Sequence, residues 1–272
     1  MTRAVPVLMY HHVSPHPGLV TVSPETFEAH MAYLARRRYR ALSAGAFLEF
    51  LQGKRALDGR NVLITFDDGY LDNYVYAYPV LRRHGLMATI FSITGLLGEG
   101  PARLHRGAGA SLPATPDHRA CKAAVAHGRA DEVMLRWSEI EAMEASGAVE
   151  IHSHTHSHVR WDQLHPDKAQ RLAAVEADLA VSRAALKSRL GKDSQHLCWP
   201  WGYFEPEYQA LAARLGFVAQ YATVRGVNVA GSDPECIPRL VVKDRPGSWF
   251  ATRVAIYQSA FLGGLYDRLR GK

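Results

Sequence analysis

Two adjacent aspartates and four alternating histidines are the residues of this chain best suited to chemistry. Asp67 and Asp68 close the run Val62-Leu-Ile-Thr-Phe-Asp-Asp-Gly-Tyr70. Neighbouring side chains leave an extended backbone in different directions, so one carboxylate can hold a cation while the other accepts a proton. The histidines lie in Glu150-Ile-His-Ser-His-Thr-His-Ser-His158. An extended chain would put all of them on one face. A helical turn would pair His152 with His156 or His154 with His158, and an i, i+4 pair can chelate one ion. Spacing alone does not choose between the pairs. In isolation, Asp-Asp-Gly is a polar turn and a His-rich tract a surface metal patch. The elements around them argue for a site.

The apolar run before Asp67 reads as a strand buried on both faces, with the carboxylates at its end and Gly69 turning the backbone away. A second such strand over 5–10 delivers His11 and His12. Between them, Ser23-Pro24 is a helix start, and Phe27, Met31 and Leu34 recur at helical spacing, which predicts a helix over 24–38. A short helix over 44–52 follows. After the aspartates come a helix over 73–84 stopped by Gly85, and a strand over 87–93. From 98 to about 134 the pattern dissolves into a long insertion over one end of the fold, with a helix near 119–126. Regularity resumes with a capping box of Ser138 and Glu141, a helix closed by Gly147, and a strand over 149–151. A helix over 166–190, a strand over 196–199, a helix over 206–215, strands near 218–223 and 237–242, and a C-terminal helix complete the chain. Alternating strands and helices suit a (β/α) barrel, whose site gathers at the carboxyl ends of the strands. The singled-out polar residues fall at such ends, although the strands were assigned from apolar runs.

With 272 residues, 47% of them hydrophobic, one barrel domain can bury a large core. The net charge is +6, but the cations are spread, with no run longer than 36–38; this argues for a solvated basic surface and against a nucleic-acid groove. Cys121, Cys198 and Cys236 are too few and too scattered for a disulfide framework or a Cys-x-x-Cys metal site. The first residues lack the apolar segment of a signal peptide, and no stretch reaches the length of a membrane span, so cytoplasmic placement is expected.

Thr65-Phe-Asp-Asp-Gly69, Tyr78-Pro-Val-Leu81, Trp137-Ser-Glu-Ile140, Ser146-Gly147, the histidine tract and Pro200-Trp-Gly202 together resemble the polysaccharide deacetylases. These form carbohydrate esterase family 4, with the NodB-homology fold, a distorted (β/α)7 barrel. The resemblance covers most of the chain and implies one such domain over 1–272. It makes Asp67 the catalytic base and Asp68 a metal ligand. Of the two histidine pairs it selects His154 and His158, which match the family's His-Thr-x-x-His, and leaves His152 and His156 outside the first shell. The sequence departs from the family in two places. Cys198 stands where the family carries an Arg that orients the base, and no histidine follows His196 to serve as general acid. Val7-Leu-Met-Tyr-His11 resembles the N-terminal Tyr-His motif of the poly-N-acetylglucosamine deacetylases, whose motif order is permuted. His11 is therefore the expected general acid, and Arg239 is a candidate for orienting Asp67.

The implied reaction removes an N-acyl group, acetyl first among them, from an amino sugar in a glycan or lipid-linked saccharide. A divalent ion, Zn²⁺ before Co²⁺, Ni²⁺ or Mn²⁺, would polarise the amide carbonyl and lower the pKa of bound water from about 15.7 toward about 7. Three protein ligands leave positions open for water and substrate. Trp199, Pro200, Trp201 and Tyr203 are expected to contact substrate, with backbone donors near Tyr203 holding the oxyanion; Trp199, Trp201 and Tyr203 are alternatively core aromatics. Deformylation, deacylation of another carbohydrate-like substrate, and a non-catalytic binding module are the alternative functions. Residues 247–272 carry Trp249, Phe250, Phe261, Leu262, Leu265 and Tyr266 among Arg253, Arg268, Arg270 and Lys272. Such a segment either covers the barrel or rests on an anionic membrane.

Overall fold

In the computed structural model, which describes residues 4–109 and 111–269, seven parallel strands form one curled sheet. Their order is Leu240–Val241, Val7–Tyr10, Arg60–Phe66, Ala88–Ser92, Val149–Ser153, His196–Cys198, Ala219–Tyr221. Tyr39–Ala41 adds a further strand beside the start of Arg60–Phe66. Every residue of Val7–Tyr10 and Ala88–Ser92 is buried, as expected of parallel strands covered on both faces. Closure rests on one short segment. Ile237 bridges Tyr221 at one edge of the sheet, while Leu240 and Val241 pair with Leu8 and Met9 at the other. The fold is the distorted (β/α)7 barrel.

Local sequence accounts for most of the helices. Pro24–Arg36 is capped by Ser23, whose hydroxyl accepts from the Thr26 N–H at 3.3 Å, and it buries Phe27, Met31 and Leu34 completely. Each such burial contributes roughly 1.5–3 kcal/mol, and loss of the cap would cost about 1 kcal/mol. Asn73–Ala77 is a π-helical turn that runs into the α-helix Tyr78–His84, which Gly85 ends in the left-handed conformation.

Several elements differ from the sequence reading. The capping box belongs to Arg136 and Glu139, not Ser138 and Glu141: the Glu139 carboxylate accepts the Arg136 N–H at 2.9 Å, starting the helix Trp137–Ala145. Ser138 instead donates to the Gly100 carbonyl. The long helix is Lys168–Leu190, capped by Asp167 and preceded by the short helix Trp161–Leu164. The expected strand over 237–242 is reduced to the Ile237 bridge and Leu240–Val241. The C-terminal helix is two, Gly247–Tyr257 and Ala260–Leu269; Arg270 and Lys272 lie outside the described residues. Within 98–134 the helix His118–Ala126 forms, capped by Asp117.

Candidate active site

Asp67 and Asp68 follow the Arg60–Phe66 strand at the barrel mouth, both nearly inaccessible. Asp68 has φ 74° and Gly69 φ 82°. A Cβ at Gly69 would meet the Ser92 hydroxyl at 2.9 Å, so glycine is required there. Val20, Asp68, Thr155, His158 and Trp201 all have positive φ. Four of these line one cavity of about 520 Å³, and Thr155 lies in the turn between two lining histidines. Unfavourable backbone of this kind costs of order 1–3 kcal/mol per residue and collects at functional sites.

Asp67 faces Arg239 in a bidentate pair, with Nη1 to Oδ1 at 2.7 Å and Nη2 to Oδ2 at 2.8 Å. The guanidinium also donates to Cys198 Sγ at 3.1 Å and, through Nε, to the Ala222 carbonyl at 2.9 Å. The closing segment of the barrel thus brings an arginine to the place left empty by Cys198. Burial would push the Asp67 carboxyl up, but Arg239 and His11 more than offset this and hold it below its usual range. His11 Nε2 lies 3.8 Å from Asp67 Oδ2. Burial lowers its pKa, opposed by Asp67 and Asp68. The side chain of Asn73, in the π-turn, fixes the bend at His11 by donating to its carbonyl at 2.7 Å.

Asp68 Oδ1 lies 3.3 Å from His154 Nε2 and 3.5 Å from His158 Nε2. His154 Nδ1 is 2.8 Å from the Cys198 carbonyl, which can only accept, so Nδ1 carries a proton. Burial would lower the pKa of this ring, but Cys198 and Asp68 more than offset it and hold it well above the usual range, so Nε2 is protonated against Asp68 and would present a lone pair only to an ion that displaced that proton. Burial and then His154 hold His158 down at about 4, leaving its ring neutral. A divalent ion among these atoms would take the place of the proton that His154 Nε2 otherwise shares with Asp68. Asp68, His154 and His158 each offer a ligand atom within 4.8 Å of the others, a donor set that fits a divalent ion. Asp67, His154 and Cys198 also cluster, but the Arg239 guanidinium already occupies Asp67 and Cys198.

The other expected positions divide. Trp201 is 57% exposed at the rim, its ring 5.5 Å from that of His158 and 4.9 Å from the Lys122 ammonium. Trp199 borders the cavity but is buried, its indole N–H bound to Gln220 at 3.0 Å; it is chiefly a core aromatic. Pro200 and Tyr203 do not line the cavity and instead border a small pocket beside it. The Tyr203 ring lies under Arg160 at 3.8 Å, its hydroxyl donates to Glu205, and its N–H is engaged with the Pro200 carbonyl at 3.0 Å, so the expected oxyanion donor there is already committed. The sequence reading missed His118. It joins the cavity wall from the insertion helix, and its Nδ1 meets buried His12 Nε2 at 3.1 Å, while His12 Nδ1 meets Asp72 at 2.6 Å. No local spacing links these three residues.

Fold and site together define a barrel protein in which an Asp/His cluster with a donor set fit for a cation lies beside a carboxylate clamped by arginine. The chain belongs to the polysaccharide deacetylase family, whose pattern matches residues 54–220. It is 30% identical over 223 residues to YxkH of Bacillus subtilis, covering 82% of this chain and 65% of that protein. It is 23% identical over 228 residues to a poly-beta-1,6-N-acetyl-D-glucosamine N-deacetylase of Staphylococcus aureus, covering 82% and 68%. The chain thus spans about two thirds of the length of these curated relatives. Among solved structures, IcaB from Ammonifex degensii matches with a TM-score of 0.72 at 24% identity over 94% of this chain and 98% of that one. Deacetylase PplD of Streptococcus pyogenes also matches at 0.72, with 20% identity over 93% and 99%. These two likenesses are of fold.

Proposed function

We propose that this protein is a metal-dependent hydrolase that removes an N-acyl group, acetyl first, from an amino sugar in a glycan or lipid-linked saccharide. The observation that carries this reading is the Asp67–Arg239 clamp beside the Asp68, His154, His158 cluster on the floor of one cavity. The relatives named as N-deacetylases support it. Asp68, His154 and His158 would hold the ion, Zn²⁺ or another divalent cation of similar preference, which supplies Lewis acidity toward a carbonyl oxygen. Asp67, kept ionised by Arg239, takes a proton from the attacking water. His11, bordering the same cavity, gives a proton to the leaving nitrogen, without which an amide does not cleave. A binding module without turnover would have no use for a buried arginine aimed at a carboxylate. Acetate and formate release from a panel of N-acylated saccharides, with and without chelator, is the test. Chelator-sensitive acetate release is expected; formate release alone would reassign the acyl group, and no release from the metal-loaded protein contradicts the reading.

The same reading extends to where the substrate lies. Phe250, Val254 and Tyr257 cover the barrel, whereas the last helix leaves Phe261, Leu262, Leu265 and Leu269 exposed along one side beside Arg268. No described helix is long and apolar enough to cross a membrane. This exposed face instead suits peripheral contact with an anionic bilayer, consistent with work on lipid-linked precursors at a cytoplasmic leaflet. Salt-sensitive sedimentation with phosphatidylglycerol vesicles is expected, and none at low salt removes the idea.

A further inference from the structure

Beside the active-site cavity runs a second groove of about 850 Å³, and Thr223 lines both. Arg225, Lys243, Arg245 and Arg253 face this second groove. They come from the loop after Ala219–Tyr221, the loop after the closing strand and the helix Gly247–Tyr257. None of the four forms an ion pair with a described residue. The nearby acids are engaged elsewhere. Asp244 accepts from the Ser23 N–H and hydroxyl at 3.2 and 3.0 Å, and Asp267 accepts from the Tyr257 hydroxyl at 2.5 Å. Arg253 is held in place by two rings, its guanidinium carbon 4.5 Å from the Tyr266 centroid and 5.5 Å from that of Trp249.

Unpaired cations drawn together in a concave wall focus a positive field, and arginine forks match phosphoryl oxygens. We infer that this groove is a subsite for a phosphate or diphosphate joined to the sugar whose acyl group sits at Asp67 and Asp68. The inference rests on the deacylase reading and narrows its substrate to an anionic, phosphorylated saccharide. Thr223 marks the crossing point: the acetamide lies on the cavity side and the phosphoryl group on the groove side. A chain already carrying free ammonium groups from earlier turnover is repelled by the same wall, so the groove favours unreacted anionic substrate and release of the amine product.

The experiment compares acetate release from a neutral N-acetylglucosamine oligosaccharide and from the same oligosaccharide bearing a 1-phosphate, at low and high salt. The phosphorylated form is expected to show a KM roughly tenfold lower, the size of one or two charge-assisted contacts, with kcat unchanged. High salt and Arg253→Gln or Lys243→Gln should remove the difference while leaving the neutral oligosaccharide unaffected. Equal KM values for the two substrates overturn the inference and leave the deacylase reading standing. If neither substrate releases acetate, the deacylase reading fails, and calorimetric titration with pyrophosphate decides the groove: binding weakened by Arg225→Gln and Arg253→Gln supports it, and no binding overturns it. If Arg253→Gln instead abolishes sedimentation with phosphatidylglycerol vesicles and leaves both KM values alone, the groove reads lipid headgroups and the sugar-phosphate assignment falls.

Discussion

Two histidine pairs each draw on the tract 150–158 and do different things. His154 and His158 stand at the barrel mouth with ring centroids 4.8 Å apart; His152 and His196 lie inside it, 4.5 Å apart. Each pair has a carboxylate, Asp68 in one case and Glu150 in the other. In the interior pair one nitrogen of each ring and the carboxylate are already engaged, while His152 Nε2 is buried without a hydrogen-bond partner among the described residues, 3.8 Å from Glu150 Oε2. His152 Nδ1 meets the Ser194 hydroxyl at 2.9 Å, His196 Nδ1 meets the Tyr221 hydroxyl at 3.3 Å, and Glu150 accepts from the Ala44 N–H and the Thr89 hydroxyl. The mouth pair turns two rings toward one oxygen of Asp68. Residue types do not separate the pairs; backbone does. The strand ends at Ser153, and positive φ at Thr155 and His158 folds the chain back over Asp68. Those conformations are held by the Ser153 hydroxyl accepting the Thr155 N–H, and the Thr155 hydroxyl accepting the His158 N–H.

The sharpest way to break this comparison is to strip one acid from each region. Asp67→Asn at the mouth should keep its metal while turnover falls by roughly 10² to 10⁴, the range for a general base. Glu150→Ala in the interior should leave turnover within a few fold and lower unfolding free energy by about 1–3 kcal/mol, because buried partners lose their acceptor. An active Asp67→Asn enzyme would overturn the assignment of the base. Next in size is Arg239→Leu, which strands a buried carboxylate and should destabilise the fold by about 3–5 kcal/mol. Adding Asp67→Asn should restore part of that loss in denaturant unfolding; a purely additive double variant would show that the pair is not coupled.

A buried histidine remote from both pairs sharpens the comparison through pH. His30 is fully inaccessible and stacks on Phe250 at 4.0 Å. Burial lowers its pKa to about 4, against smaller raising effects of the Arg245 backbone and Asp244. The unfolded chain therefore binds a proton that the folded one refuses between about pH 6.5 and 4. Its contribution is complete above pH 6.5 and lost as pH falls through 4, on the order of 3 kcal/mol in all. His30→Phe should flatten that part of the stability profile without changing metal content; an unchanged profile would contradict a neutral buried His30.

Much of this was legible before any coordinates. An apolar run ending in Asp67 and Asp68 announces a buried strand with its acids at the mouth, and the spacing of Phe27, Met31 and Leu34 announces a helix, because burial imposes those periods. What stayed hidden is nonlocal or irregular. Arg239 reaches Asp67 only because the short segment that closes the barrel carries it there, and Leu240–Val241 is too short to show a period. His118 sits in an insertion whose other wall contacts lie far away in sequence. The left-handed turn at Thr155 runs against the preference of a β-branched residue and so has no local signature. Tyr203 misled because an aromatic near the site reads the same whether it faces a cavity or, as here, an arginine on the other side.

Metal content of two alanine variants tests the account most directly. His154→Ala and His152→Ala remove the same side chain from positions two residues apart, one at the mouth and one in the interior. The account predicts that purified His154→Ala has lost its divalent ion together with its activity, while His152→Ala retains a full complement of metal. A metal-loaded His154→Ala protein, or loss of the ion from His152→Ala, would contradict it.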